Sequence, residues 1–172
     1  MNLLKYIDVY HNFPVTGIRF NDVSKLMEEP NVFKYIIDHL ADYAKSNHAD
    51  LIVGPEANGF VFGSAVAYKL GIGFAPARKP GKLPGDSVGM SYKLEYGEDS
   101  LNLRKEDVQD RKHVVIIDDV FATGGTLKTT ANLISDLGGT VVGAGVILEL
   151  TKLNGRKNIN GLDLVSLQKY EG

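Results

Sequence analysis

The chain has no cysteine among its 172 residues. That excludes disulfides, thiolate metal centres and a cysteine nucleophile, and leaves the redox compartment open. Net charge is also scarce: 19 lysines and arginines against 21 acids leave −2, with a pI near 6.1. Without a general basic field, neither nucleic acid nor an anionic membrane is an expected partner, so anion binding must come from local clusters. No apolar run approaches the length of a membrane span, and the opening MNLLKYIDVYHNF carries Lys5 and Asp8 among its apolar residues, too charged for a signal-peptide core. A soluble, cytoplasmic protein is expected. The four histidines, His11, His39, His48 and His113, are scattered without ligand spacing. There is no internal repeat or low-complexity tract. A chain of this size suits one domain, 1–172, with one core.

What is present alternates between two periods. From Pro30, the residues Phe33, Ile36, Ile37, Leu40 and Ala44 recur at helical spacing, and the helix should end near Asn47. A short apolar strand over 51–53 is followed by a helix over 60–70 closed by Gly71, then a strand over 72–77. The segment 79–103 holds prolines at 80 and 84 and several glycines; it reads as irregular, outside the core, and functional or mobile. A strand from Val114, a helix over 127–137 stopped by Gly138 and Gly139, and a strand over 141–150 follow. The end is a polar tail with a short apolar piece over 162–167. Strands alternating with helices predict an α/β fold, right-handed βαβ units around a central, mostly parallel sheet flanked by helices.

The most informative stretch is VVIIDDVFATGGTL, from Val114 to Leu127. Its β-branched run reads as a strand covered on both faces. Asp118 and Asp119 fall at the carboxyl end, where ligands of open α/β sheets gather. Adjacent carboxylates repel unless something positive or hydroxyl-rich lies between them, which suits ribose hydroxyls or a hydrated divalent cation. The loop Ala122, Thr123, Gly124, Gly125, Thr126 then opens a helix. Glycines let the backbone approach a ligand, and the helix amino end favours a phosphate. The lysine of a Walker loop is missing and the pattern is not GxGxxG. Strand, acid pair and loop together describe a site for a phosphorylated sugar.

A second strand-loop-helix corner reads Gly54, Pro55, Glu56, Ala57, Asn58, Gly59, Phe60, and is a candidate anion pocket. Next, Arg78, Lys79 and Lys82 stand on a proline-glycine scaffold at the end of a strand, where a pyrophosphate would find several positive donors. The stretch SYKLEYG from Ser91 alternates like a short hairpin strand.

GPEANGF, RKPGKLP, SYKLEYG and DDVFATGGT, in this order, resemble the type I phosphoribosyltransferases, and RKPGKLP with LEYG resembles the adenine branch. The similarity runs from FPVTGIRFND near Phe13 to the end. It implies a hood segment over about 1–30, a long flexible catalytic loop over about 80–103, and conversion of adenine and 5-phosphoribosyl-1-pyrophosphate to AMP and pyrophosphate. By the same resemblance Asp118 and Asp119 hold the ribose hydroxyls and the 122–126 loop cradles the 5′-phosphate. Glu56, Ala57 and Asn58, with Arg78, Lys79 and Lys82, take the pyrophosphate. Phe20 stacks on the base, with main-chain groups of Arg19 and Asn21 at its edge. Glu95 handles the proton on N9 of adenine. Mg²⁺ is implied as cofactor, held mainly by substrate with Asp118 acting through water, and a homodimer is the implied assembly. Two positions depart from the family pattern: Asn21 stands where a basic residue is usual, and Asn58 where the family has arginine. A transferase for xanthine, guanine or hypoxanthine, or a protein that only senses phosphoribosyl pyrophosphate, are the alternative readings.

Overall fold

The computed structural model describes residues 1–93, 98–159 and 161–171. After a 3-10 turn at Leu3–Tyr6, the chain forms β1 (Asp8–His11), β2 (Arg19–Asp22), α1 (Ser24–Glu28), α2 (Pro30–Ser46), β3 (Leu51–Pro55), α3 (Asn58–Leu70) and β4 (Gly73–Ala77). It continues through β5 (Ser87–Lys93), β6 (Glu98–Arg104), α4 (Lys105–Val108), β7 (Val114–Phe121), α5 (Gly125–Asp136), β8 (Val141–Leu150) and β9 (Leu164–Tyr170).

Five of these strands make one parallel sheet in the order β4-β3-β7-β8-β9. The apolar run of β7 follows from its position: both faces are covered, so successive side chains must all be apolar. Val115 and Ile117 pack with Ile36, Leu40 and Phe62 of α2 and α3 on one face, while Val114 and Ile116 pack with Leu133 and Ile134 of α5 on the other. The strand's two-residue period thus feeds two cores at once. α2 begins with Pro30 in its first turn and α3 ends on Gly71 at φ 68°, a left-handed cap that glycine adopts without penalty. Among the described residues no helix is long and apolar enough to cross a membrane.

Two expectations need correction. The segment 79–103 is not irregular throughout: β5 and β6 form an antiparallel ribbon with Met90 opposite Leu101, and Leu101 and Leu103 are fully buried. The prolines and glycines that suggested a loose loop sit mainly before the ribbon, and the alternating leucines of β6 supply a core face. Arg78 and Asn102 exchange backbone hydrogen bonds at 3.0 and 2.7 Å, which ties the ribbon to the end of β4. The tail, in turn, is not merely a short apolar piece, because β9 is the fifth strand of the sheet. As an edge strand it is half covered, so LVSLQKY mixes polar and apolar residues instead of showing an unbroken run. At the other end β1 and β2 pair in a separate hairpin, with Tyr10 opposite Phe20.

Candidate active site

The acid pair belongs to β7 itself. Asp118 is still paired with Val146 of β8, and Val120 with Leu148, so the carboxylates stand on the last rungs of the strand. Their oxygens are largely committed. Asp119 N–H donates to Asp118 Oδ1 at 2.9 Å, Val120 N–H to Asp119 Oδ1 at 2.7 Å, and the Asn58 amide to Asp119 Oδ2 at 2.8 Å. Burial at the strand end, and then the neighbouring Asp119 charge, push the Asp118 carboxyl well above the usual carboxylate range, against the pull of the Asp119 N–H.

Beyond β7 the chain turns through Gly124 at φ 87° into α5, whose first N–H groups have no partner within the helix. Asp118 and all five residues of the 122–126 loop line a cavity of about 240 Å³. Its remaining wall is apolar: Ile18, Val120, Phe121, Leu127 and Val146. The cavity thus combines a carboxylate and a polar glycine-threonine loop with apolar side chains. Asn158 braces the loop: its amide donates to the Thr123 carbonyl at 2.8 Å.

The second corner reaches the acids because two glycines permit close packing. A Cβ on Gly54 would overlap the Gly59 carbonyl, and one on Gly59 would meet the Ile117 carbonyl oxygen at 3.0 Å. β3, α3 and β7 therefore close together, and Asn58 in the first turn of α3 arrives beside Asp119. The neighbouring cations are internally compensated. Glu56 Oε2 accepts the Lys79 N–H at 2.9 Å and lies 3.5 Å from Arg78 Nε, while the Lys79 ammonium pairs with Asp99 of β6. The Arg78 guanidinium sits 5.7 Å from the Phe60 ring centre. The structure thus gathers Glu56, Arg78 and Lys79, with Ala57 exposed at the corner. Lys82 is exposed and joins the group through its main chain: its carbonyl accepts from Arg78 Nη1 at 3.2 Å, and its N–H donates to the Lys79 carbonyl at 3.3 Å.

In the hood, Phe20 is 41% exposed and meets Phe13 edge-on with ring centres 5.2 Å apart. The Arg19 side chain turns away to β9, where its guanidinium lies over the Tyr170 ring at 4.9 Å and bonds the phenol hydroxyl. Asn21 lines a separate cavity of about 160 Å³ with Leu4, Val9 and Leu148, and its buried Oδ1 has no hydrogen-bond partner among the described residues. None of Arg19, Phe20 and Asn21 lines the main cavity. Ile18 does line it. Sequence reasoning missed Ile18, Val120, Phe121 and Val146 because an apolar wall carries no chemical signature, and missed Asn158 because nothing local ties it to the loop. Glu95 lies outside the described residues.

The family described as the phosphoribosyl transferase domain matches residues 22–170. An adenine phosphoribosyltransferase of Clostridium botulinum is 46% identical over 170 residues, 99% of each chain. The crystal structure of adenine phosphoribosyltransferase from Thermoanaerobacter pseudethanolicus is 44% identical, covers 98% of each chain and superposes with a TM-score of 0.92. That of the Trypanosoma brucei enzyme, in complex with AMP, pyrophosphate and ribose-5-phosphate, is 30% identical with a TM-score of 0.88, over 96% of this chain and 77% of that one. With Asp118, the glycine-threonine loop and an apolar wall around one cavity, this chain belongs to the phosphoribosyltransferase family, among the adenine phosphoribosyltransferases.

Proposed function

We propose that the chain, acting as one phosphoribosyltransferase domain over 1–172, transfers the phosphoribosyl group of 5-phosphoribosyl-1-pyrophosphate to adenine, releasing AMP and pyrophosphate in purine salvage. The observation that carries this reading is the cavity of about 240 Å³ in which Asp118, the 122–126 loop and an apolar wall converge. The 5′-phosphate takes the loop and the start of α5, the ribose hydroxyls face Asp118 and Asp119, and the base lies toward Ile18 and Phe20. The pyrophosphate lies toward Glu56, Ala57, Asn58, Arg78, Lys79 and Lys82. Production of AMP from adenine, tested against guanine, hypoxanthine and xanthine in competition, checks the base as well as the reaction; a 6-oxopurine used in preference to adenine overturns the assignment.

In the reaction the N9 lone pair attacks C1 of the ribose as the bond from C1 to the pyrophosphate oxygen breaks, and its electrons leave with pyrophosphate. Positive charge grows on the sugar and negative charge on the leaving group, so catalysis consists of binding that separation more tightly than the ground state. Asp118 and Asp119 favour the positive ring, and the amide of Asn58 fixes Asp119 in place. Mg²⁺ fits this arrangement as an ion brought by the diphosphate. Among the described residues no three acids or histidines converge as a cage, and Asp118 would offer one carboxylate that water can link to a cation. When bound it supplies positive charge to the departing diphosphate. The reading includes a cytoplasmic homodimer, the commonest closed assembly; sedimentation at a monomer mass would remove that part.

The N9 proton needs an acceptor, and Glu95 is assigned that role. Glu95→Gln is expected to lower kcat by roughly 100-fold, the low end of what a positioned base contributes, with little change in the KM for phosphoribosyl pyrophosphate. An unchanged kcat removes Glu95 from the chemistry. At position 58, which departs from the family pattern, Asn58→Arg is expected to lower the KM for phosphoribosyl pyrophosphate by roughly tenfold, because a charge-assisted contact of about 1.5–3 kcal/mol replaces a neutral one. Steady-state kinetics with no improvement would show that position 58 does not touch the pyrophosphate.

A further inference from the structure

β8 ends in a buried acid that the chemistry above leaves unused. Glu149 is 4% exposed, yet each of its oxygens is filled: Oε1 accepts Arg156 Nε at 2.6 Å, and Oε2 accepts Arg156 Nη2 at 2.8 Å and Ser166 Oγ at 2.6 Å. The forked guanidinium-carboxylate pair fixes direction as well as distance. Arg156 also donates from Nη1 to the Leu164 carbonyl at 3.2 Å. Together these contacts seat the 3-10 turn Gly155–Asn158 directly behind the 122–126 loop. The seating is close: a Cβ on Gly155 would overlap the Ala122 carbonyl, and one on Gly124 would lie 2.8 Å from the Gly155 carbonyl oxygen. From the end of this turn, the Asn158 amide reaches the Thr123 carbonyl at 2.8 Å.

The Thr123–Gly124 peptide is not among the chain's cis bonds. In a trans peptide the carbonyl and the N–H point in opposite directions. Holding the Thr123 oxygen on Asn158 therefore turns the Gly124 N–H to the other side of the loop. Thr123 and Gly124 line the cavity that holds Asp118, whereas Asn158 does not. We infer that Asn158, seated by the Glu149–Arg156 pair, is a positioning residue that presets the phosphate loop and so sets affinity for the phosphate-bearing ligand without touching it. This rests on the reading of residues 122–126 as the phosphate site.

Calorimetric titration of the full chain with ribose 5-phosphate and AMP, and with adenine as the ligand that lacks phosphate, tests it alongside steady-state kinetics. Asn158 is exposed, so Asn158→Ala and the isosteric Asn158→Asp should fold. Both are expected to raise the Kd for ribose 5-phosphate and AMP by roughly tenfold, equivalent to about 1.4 kcal/mol or one neutral hydrogen bond. The KM for phosphoribosyl pyrophosphate should rise in step, while kcat, the KM for adenine and the melting temperature stay near their original values. Asn158→Gln, which keeps an amide donor, should recover most of the loss. Unchanged phosphate-ligand affinity in the Ala and Asp variants overturns the inference, as does an equal loss of adenine binding. If the unmodified chain binds neither ribose 5-phosphate nor AMP, it is the phosphate-loop reading itself that fails.

Discussion

Asp118→Asn is expected to lower kcat/KM for phosphoribosyl pyrophosphate by roughly 100- to 1,000-fold, the scale of losing one preorganised electrostatic contact, and at the same time to make the unliganded protein more stable. The two effects share one cause. Burial and the adjacent Asp119 charge hold the Asp118 carboxyl well above its ordinary value of 3.8. Below that ordinary value both folded and unfolded chains keep the proton, and Asp118 costs the fold nothing. As pH rises from 3.8 toward the raised value, the unfolded chain ionises first, the folded chain holds more protons, and stability falls. Above the raised value the whole cost is present. Asparagine removes the charge and keeps the oxygen that accepts the Asp119 N–H. The melting temperature should therefore rise by roughly 2–4 °C at neutral pH, the shift that about 1 kcal/mol produces in a chain of this size. Thermal melts of both proteins across pH check the origin: the gap should widen from acid to neutral pH, and a gap that is constant or reversed would rule out a charge conflict. The trade is the one expected where an active site keeps a repulsive pair for a ligand to relieve.

Gly124→Ala is expected to lower kcat/KM by roughly 100-fold and to weaken ribose 5-phosphate binding by a similar factor. Two strains coincide at this residue. Its φ of 87° lies in the left-handed region, where a Cβ costs about 1–2 kcal/mol, and that Cβ would meet the Gly155 carbonyl oxygen at 2.8 Å. The obstacle is backbone, held in turn by Arg156 and the buried Glu149, so it is the loop that must move. A displacement of about 1 Å in a group that positions substrate is enough for the predicted loss. Gly71→Ala provides the comparison. Gly71 is also left-handed, at φ 68°, but has open space where a Cβ would go and caps the far end of α3. It should lose stability while kcat/KM stays unchanged. Full activity in Gly124→Ala would take the loop out of phosphate binding.

Much of the framework could be read along the chain because its signals are local. The β-branched run from Val114 predicted a doubly covered strand, and β7 is buried on both faces there. Helical spacing from Pro30 predicted α2, and Gly71 marked the end of α3. The ribbon and the last strand were harder to see. The pairing of β5 with β6 is decided between two separate stretches of chain, and Leu101 and Leu103 become core residues only because β6 lies against the sheet. β9 is an edge strand, and its mixed pattern resembles any polar tail until β8 is beside it. Ile18 and Val146 looked like ordinary apolar residues until the hood and β8 brought them to one cavity.

The sequence alone determined which chemical groups are available and in what order: an acid pair, a glycine-threonine loop opening a helix, and a run of cations on a stiff scaffold. Tertiary structure alone decided who faces whom. It set Asn58 against Asp119 from 61 positions away and Asn158 against Thr123 from 35 away. It also neutralised Arg78 and Lys79 with Glu56 and Asp99. Such pairings depend on the separation of strand ends in a parallel sheet, a distance that no local period along the chain encodes.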